Sequence, residues 1–388
     1  MIERGAPSFF GLDGRGSFRP EYGPDRYDQA DHKRRTGAGR QGETEEMEKR
    51  MKARLAAIGA VAVLAGVIVK YGADLQNRSC TRQLFAMDTF MEFTAYGRDS
   101  GEAVEEAMAE VRRLDALLST GSPSSEVSRL NASGSGQLSE DGRILLESAL
   151  TIYEETGGLF DPTIYPLMQL WGFPTQEYHV PSETELAEVL PLVDASKVRQ
   201  SGAEVALAEG QKVDFGGIAK GYTSARMMEI FRSHGIASGM VSLGGNVQVI
   251  GRKPDGSRWQ VGIQDPDGPQ GSVIAGVEAE DQAVVTSGGY ERYFEEDGNT
   301  YIHILDPRTG RPADGDLKSV TVVSADGTLA DALSTSLYLM GSGDAVEYWE
   351  KHREDFEMVL ITDQGELLVT QGISGGFWSE EDYTVVGG

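Results

Sequence analysis

One cysteine in 388 residues leaves the chain neither an internal disulfide nor a thiolate-held metal site. Positive charge is also scarce: 35 Lys and Arg stand against 61 Asp and Glu, a formal charge of −26. Nucleic-acid binding draws most of its affinity from cations that neutralise phosphates, so nucleic acid is excluded as a partner. A phosphate-bearing ligand must then be held locally, by a metal ion, backbone N–H groups or a few placed cations. Internal repeats are lacking, as is any linker after residue 80 that would divide the chain into domains. Long apolar runs are lacking too. LAAIGAVAVLAGVIV at 55–69 spans 15 residues, short of the roughly 20 that a membrane helix needs.

That run has a context. Lys49, Arg50, Lys52 and Arg54 precede it, and Lys70 can snorkel if the span extends to Ala73. A basic flank before an apolar core is how a membrane anchor or a secretory signal begins. The expectation is an uncleaved anchor at 51–74, with a cleaved signal as the alternative, and everything beyond on the extracytoplasmic face of the membrane. The polar, aperiodic residues 1–50 read as a disordered tail, with Met47 and Met51 as other possible starts. Cys80 invites a lipoprotein reading, but Asn77 and Arg78 stand where small or apolar residues should precede a lipidated cysteine.

Beyond residue 80 the expectation is one compact catalytic unit at 80–388, with strands and helices mixed but not in strict β-α-β alternation. This predicts an α+β fold of mixed sheets packed with helices. Strands are predicted at 84–96, 239–251, 258–263, 283–286, 301–305, 318–324, 357–362 and 366–370. Helices are predicted at 102–118, 141–156, 183–192, 218–234, 328–340 and 343–352. The segment 119–131 reads as a polar loop.

Four stretches have the residue types that chemistry needs. VDFGGIAKGYT at 213–223 leads three glycines into a helix start, whose N–H groups and Lys220 suit a phosphate; a helix-capping turn is an equal reading. In LADALSTSLYLMG at 329–341, Asp331 and Thr335 lie one helical turn apart and offer oxygens to a hard cation such as Mg²⁺. From that segment alone, an Asp favoured in a first helical turn by the helix dipole, with a mid-helix Thr bonding back to a carbonyl, is the simpler account. GGLFDPTIYPLMQLWGF at 157–173 puts Asp161 at a turn, free to reach a ligand or the backbone, among aromatic residues of pocket or core. In YIHILDPRTGRP at 301–312, His303 alternates with two isoleucines, and Asp306-Pro307 begins a type I turn that Gly310 ends.

With AMDTFMEFTAYG, SSEVSRLN, SLGGNVQVIG and TSGGYERYF, and in this order from Leu84 to Leu368, these motifs resemble the ApbE family, the FAD:protein FMN transferases. The resemblance implies an ApbE-like fold and an extracytoplasmic, Mg²⁺-using enzyme that moves FMN from FAD onto a Thr or Ser hydroxyl of an acceptor flavoprotein and releases AMP. It implies metal contacts from Gly217, Asp331 and Thr335, which overturns the bland reading of that helix. It also implies FAD contacts from Met87, Leu159, Phe160, Asp161, Asp214, Lys220, His303 and Ile304. For proton removal from the hydroxyl, His303 is the candidate, with Asp306 orienting it or acting as base. One departure stands out: where many members have an aromatic residue after the ST of this region, the chain has Gly121. Two other activities remain compatible, FAD hydrolysis to FMN and AMP, and non-catalytic flavin binding at the membrane.

Overall fold

The computed structural model describes residues 78–387. The tail expected at 1–50 and the anchor expected at 51–74 lie outside the described residues. Among the described residues, no helix is long and apolar enough to cross a membrane.

The first predicted strand is a hairpin, β1 (Ser79–Ala86) and β2 (Thr89–Tyr96). Its turn residues Met87 and Asp88 have φ of 47° and 57°, the left-handed geometry that reverses a twisted ribbon in two residues. An apolar side chain at one of these positions hides the turn from composition. Helix α1 (Ser100–Leu118) follows. The stretch expected as a polar loop contains α2 (Glu126–Ser133), capped by the Ser125 side chain at Ser128 N–H and ended by left-handed Gly134. Then come β3 (Ser135–Gln137) and α3 (Glu140–Glu155), a short α4 (Tyr165–Leu170), and α5 (Glu183–Val189), which begins in a Ser182–Glu185 capping box. Strands β4 (Arg199–Ser201) and β5 (Glu204–Ala206) join β3 in a small sheet. Helix α6 (Ala219–Ser233) leads to a second hairpin, β6 (Ser238–Leu243) and β7 (Asn246–Ile250), expected as one strand and split by Gly244-Gly245.

The rest of the chain is β8 (Trp259–Gln264), β9 (Val273–Ala279), β10 (Ala283–Gly288), β11 (Tyr293–Glu296), β12 (Asn299–Ile302), β13 (Leu317–Ser324), α7 (Gly327–Met340), α8 (Ser342–Lys351), β14 (Glu357–Thr362), β15 (Leu367–Thr370), β16 (Phe377–Ser379) and β17 (Tyr383–Val386). Nine strands form one sheet in the order β1-β2-β6-β7-β10-β13-β14-β15-β17, antiparallel except for the last pair. The α+β expectation holds.

Alternation on these strands sends side chains into two cores. One face, with Met91, Phe93, Leu243, Val285, Val320 and Val322, packs under α1, α6, α7 and α8. The other, with Met240, Val247, Val249, Val284 and Val323, packs on the β8-β9-β16 sheet. Each fully buried Val, Leu or Met contributes about 1.5–3 kcal/mol relative to exposure, so this double-sided burial fixes the strand register. Cys80 lies in the first core, facing α1. A third cluster joins α4 and α5 to the β11–β12 hairpin through Trp171, Phe173, Phe294 and Leu305, with Phe294 stacked on Tyr178 at 4.7 Å and on Tyr301 at 5.0 Å. The aromatic residues at 171 and 173 are therefore core, and Trp171 Nε1–H donates to the Gly310 carbonyl at 2.8 Å, tying that core to the turn after His303.

Candidate active site

A cleft of about 780 Å³ opens where the β1–β2 turn, the 157–161 loop, the start of α6, the end of β10, the 303–307 segment and the middle of α7 converge. Met87, Leu159, Phe160, Asp161, Asp214, Gly217, Lys220, His303, Ile304, Asp331 and Thr335 all line it. Asp306 does not.

The helical wall rests on two glycines. A Cβ on Gly221 would lie 2.1 Å from the Gly327 carbonyl oxygen and 2.6 Å from Asp331 Cβ, so α6 and α7 can cross this closely only without a side chain there. The crossing lets Gly221 N–H donate to Asp331 Oδ2 at 2.8 Å, and brings Lys220 Nζ to 3.9 Å from Oδ1. One turn on, the Thr335 hydroxyl lies 3.5 Å from Ser287 Oγ. The Gly217 backbone approaches closely enough that a Cβ would stand 3.9 Å from Thr335 Oγ1.

The simpler account of Asp331 and Thr335 fails here. Helix α7 begins at Gly327, so Asp331 lies beyond its first turn, and the acidic group at its start is the cap Asp326, whose carboxylate accepts the Thr328 and Leu329 N–H groups. Back-bonding falls to the neighbours, Ser334 to Asp331 O and Ser336 to Ala332 O. Asp331 is 4% exposed and Thr335 half-buried, with their oxygens at the cleft. The Asp331 carboxylate and Thr335 hydroxyl, with the Gly217 backbone beside Thr335, offer hard oxygens with few protein ligands, which suits Mg²⁺ completed by water and phosphate. Among the described residues no group of three or more His, Cys, Asp or Glu comes together to hold a metal ion, so a cation here would rely on hydroxyl, carbonyl and water oxygens beside the one carboxylate. The residues present fit Mg²⁺.

The start of α6 does less for phosphate than its glycines suggest. Gly216 N–H donates to Asp214 Oδ1, Ile218 and Ala219 N–H to the Phe215 carbonyl, and Gly221 N–H to Asp331. With those four amides taken, the Lys220 ammonium is the charged group of this turn that lines the cleft and can meet an anion.

His303 follows the β11–β12 hairpin. Its N–H and its ring Nδ1 both pair with the Arg292 carbonyl, at 3.0 and 3.1 Å. A carbonyl only accepts, so Nδ1 holds the proton and Nε2 is left as the acceptor. Burial, then the charges of Arg292 and Lys220, push the imidazole down to about 3, keeping it neutral. Orientation comes from this carbonyl and not from Asp306. The Asp306 carboxylate is filled by its own turn: it accepts Arg308 N–H at 2.8 Å and the Arg308 guanidinium at 2.7 Å. Its main-chain carbonyl accepts Gly310 N–H, closing the predicted turn. Both the orienting and the base role of Asp306 are thus corrected. Arg311 pairs with Glu183.

Asp161 reaches the backbone side of its two options. It accepts Thr163 N–H and Oγ1–H at 2.7 and 2.6 Å and Ala195 N–H at 3.1 Å, fixing the loop that presents Leu159 and Phe160. Burial raises its pKa, and those hydrogen bonds oppose the rise. Burial likewise raises Asp214.

Sequence reasoning missed Ser287, Glu291 and Arg292, which all line the cleft. Glu291 and Arg292 stand within TSGGYERYF, in the connection between β10 and β11, and two adjacent charges in that motif were the available signal. The Glu291 side chain opens into the cleft, and enclosure by the walls, aided by the Asp331 charge and opposed by Lys220, pushes its carboxyl up to about 7. Gly121 also lines the cleft, and the most exposed aromatic residue on the rim is Phe85, 58% exposed.

The ApbE family model matches residues 87–360. The FAD:protein FMN transferase of Treponema pallidum is 34% identical over 304 residues, 72% of this chain and 84% of that protein. That of Escherichia coli K12 is 31% identical over 297 residues, 73% and 84% of the two chains. Among solved structures, the ApbE protein of Thermotoga maritima superposes with a TM-score of 0.72 at 31% identity, covering 76% of this chain and 98% of that one.

Proposed function

The chain belongs to the ApbE family and is a transferase enzyme, and from that premise we propose that it moves FMN from FAD onto a Thr or Ser hydroxyl of an extracytoplasmic acceptor protein, with Mg²⁺, releasing AMP. The observation that carries this reading is the convergence of Asp331, Thr335, Gly217, Lys220 and His303 on one cleft. A flavin-binding protein without catalysis has no need of a cation corner and an oriented imidazole together.

Asp331, Thr335 and the Gly217 carbonyl would hold Mg²⁺, which when bound would withdraw charge from the pyrophosphate. Lys220 holds the phosphates beside it. His303, its Nδ1–H fixed on the Arg292 carbonyl, takes the acceptor's hydroxyl proton at Nε2. The hydroxyl oxygen forms a bond to the FMN-side phosphorus as the bond from that phosphorus to the bridging oxygen breaks, and AMP carries the bridging oxygen away. The neutral state of His303 supports the role, since a protonated ring accepts nothing. An anionic pyrophosphate beside it offsets the Arg292 and Lys220 charges and makes it a stronger base than in the empty cleft. Export through an anchor at 51–74 agrees with the basic flank before the apolar run.

The test incubates residues 78–388 with FAD, Mg²⁺ and a candidate extracytoplasmic acceptor, with mass spectrometry of the acceptor as readout. An FMN adduct on Thr or Ser is expected. Free FMN without adduct identifies a hydrolase instead, and intact FAD a binding protein.

A further inference from the structure

The strand register places one polar side chain where the fold has every reason to use an apolar one. Met91, Leu243, Asn246, Val285, Val322 and Met358 pair in turn across β2, β6, β7, β10, β13 and β14, so their side chains share one face and one level of the sheet. All six are 0–1% exposed, and five are apolar. Asn246 is 0% exposed, and among the described residues neither its Oδ1 nor its Nδ2 has a hydrogen-bond partner. A buried amide in that condition opposes folding, and each such group in a native protein calls for a reason.

The contacts on either side show what lies above it. One level away from the cleft, Gln248 bonds Ser224 of α6 at 2.7 Å, and a Cβ on Gly327 of α7 would stand 2.6 Å from Gln248 Oε1. One level toward the cleft, Ser287 bonds Ser334 of α7 at 2.7 Å and lies 3.5 Å from Thr335 Oγ1. Between these anchor points α7 advances from Gly327 to Thr335, about 12 Å at the helical rise. The strand advances from Ala283, the partner of Gln248, to Ser287, about 13 Å. The two lengths match, so their midpoints coincide. On the helix the midpoint is Asp331; on the sheet it is the Asn246–Val285 pair. Asp331 turns toward Gly221 of α6, the helix that also packs on β7.

We propose that Asn246 is a positioning residue of the cation site, its amide joined to the Asp331 turn through one bridging water and fixing the carboxylate that presents oxygen to a divalent cation. Asp331 already has Gly221 N–H on Oδ2 from the side, and Asn246 adds support from beneath. A polar group behind a metal-binding carboxylate sets its orientation and basicity, which explains why an unpartnered amide stays in an apolar row. The inference rests on the cation reading given under Proposed function.

Mn²⁺ alone, followed by electron paramagnetic resonance and compared across the wild-type protein, Asp331→Ala and Asn246→Leu, tests it without requiring turnover. The wild type is expected to bind one Mn²⁺ and Asp331→Ala to lose it. Asn246→Leu, matched in size and suited to the row, is expected to bind roughly 10–100-fold more weakly while its Tm equals or exceeds that of the wild type. Unchanged Mn²⁺ affinity in Asn246→Leu overturns the inference and leaves the cation site standing. Absence of Mn²⁺ binding by the wild type overturns both. If the leucine does not fit and the variant unfolds, Asn246→Ala takes its place: weaker binding than the wild type at temperatures where both are fully folded supports the inference, and equal binding overturns it.

Discussion

Asp331 and His303 face one cleft from two walls that are held in different ways. The helical wall is a crossing of α6 and α7 with backbone against backbone at Gly221 and Gly327, and Asp331 is tied to the opposing helix by an N–H donor. The hairpin wall stands on a stack of aromatic rings, and His303 is aimed by a single carbonyl, that of Arg292. Close backbone contact leaves the first wall no slack, because neither helix can move without a clash or a lost hydrogen bond. Aromatic stacking is less directional, so the second wall can adjust. The Asp331 corner is thus the fixed point of the cleft and the histidine the adaptable one, an arrangement that suits the proposed transfer, in which FAD is held firmly and a second macromolecule is admitted.

The largest effect should come from removing the fixed point. Asp331→Ala is expected to abolish transfer and its Mg²⁺ dependence together; a variant that still responds to Mg²⁺ would show that the corner is not the cation site. His303→Ala should follow, with transfer lowered by roughly 10²–10⁴-fold and FAD affinity, measured by flavin fluorescence, retained. Near-wild-type transfer would remove the histidine from the chemistry. Gly221→Ala tests the rigidity itself: a Cβ at 2.1 Å from the Gly327 oxygen must part the helices, costing about 1–3 kcal/mol or more in denaturant unfolding. By contrast, Arg308→Ala, in the turn that follows His303, should cost under about 1 kcal/mol, because the ion pair with Asp306 is exposed on the arginine side, and transfer should remain within a few-fold.

Acid provides the smallest and most specific test. His303 takes a proton near 3 in the folded protein but near its ordinary 6.5 when unfolded. Between those values the unfolded chain binds more protons, so this group lowers stability as pH falls through the window and has no such effect above it. His303→Gln should flatten that part of the stability profile. In the folded wild type, nitrogen chemical shifts should report a neutral ring with Nδ1–H retained as pH falls from about 7 to about 5.

Much of the fold was legible because burial imposes a period. The α1, α6 and α7 helices and strands such as β13 and β14 were found to within a few residues by that signal alone. The hairpin turns were not, since Met87 gives no hint of a left-handed backbone, and α2 was hidden by a polar sequence whose helix is set by its Ser125 and Gly134 caps. At the site, Asp331 and Thr335 could be paired from their spacing, but their freedom to bind a ligand depended on Asp326 taking the capping role. Asp306 and Asp161 carry the same functional group in similar proline turns, and only their surroundings showed both to be occupied by their own loops.

By itself, then, the sequence determined most of the element types, the mixed architecture, the lack of an internal disulfide and the family, because these follow from composition, periodicity and motifs that are local in the chain. Tertiary structure alone decided which polar groups are available. Gly221 meets Asp331 across 110 positions and Trp171 meets Gly310 across 139. A hydrogen bond between residues so far apart leaves no trace in local pattern, and it is those bonds that separate a carboxylate free for chemistry from one that holds a turn.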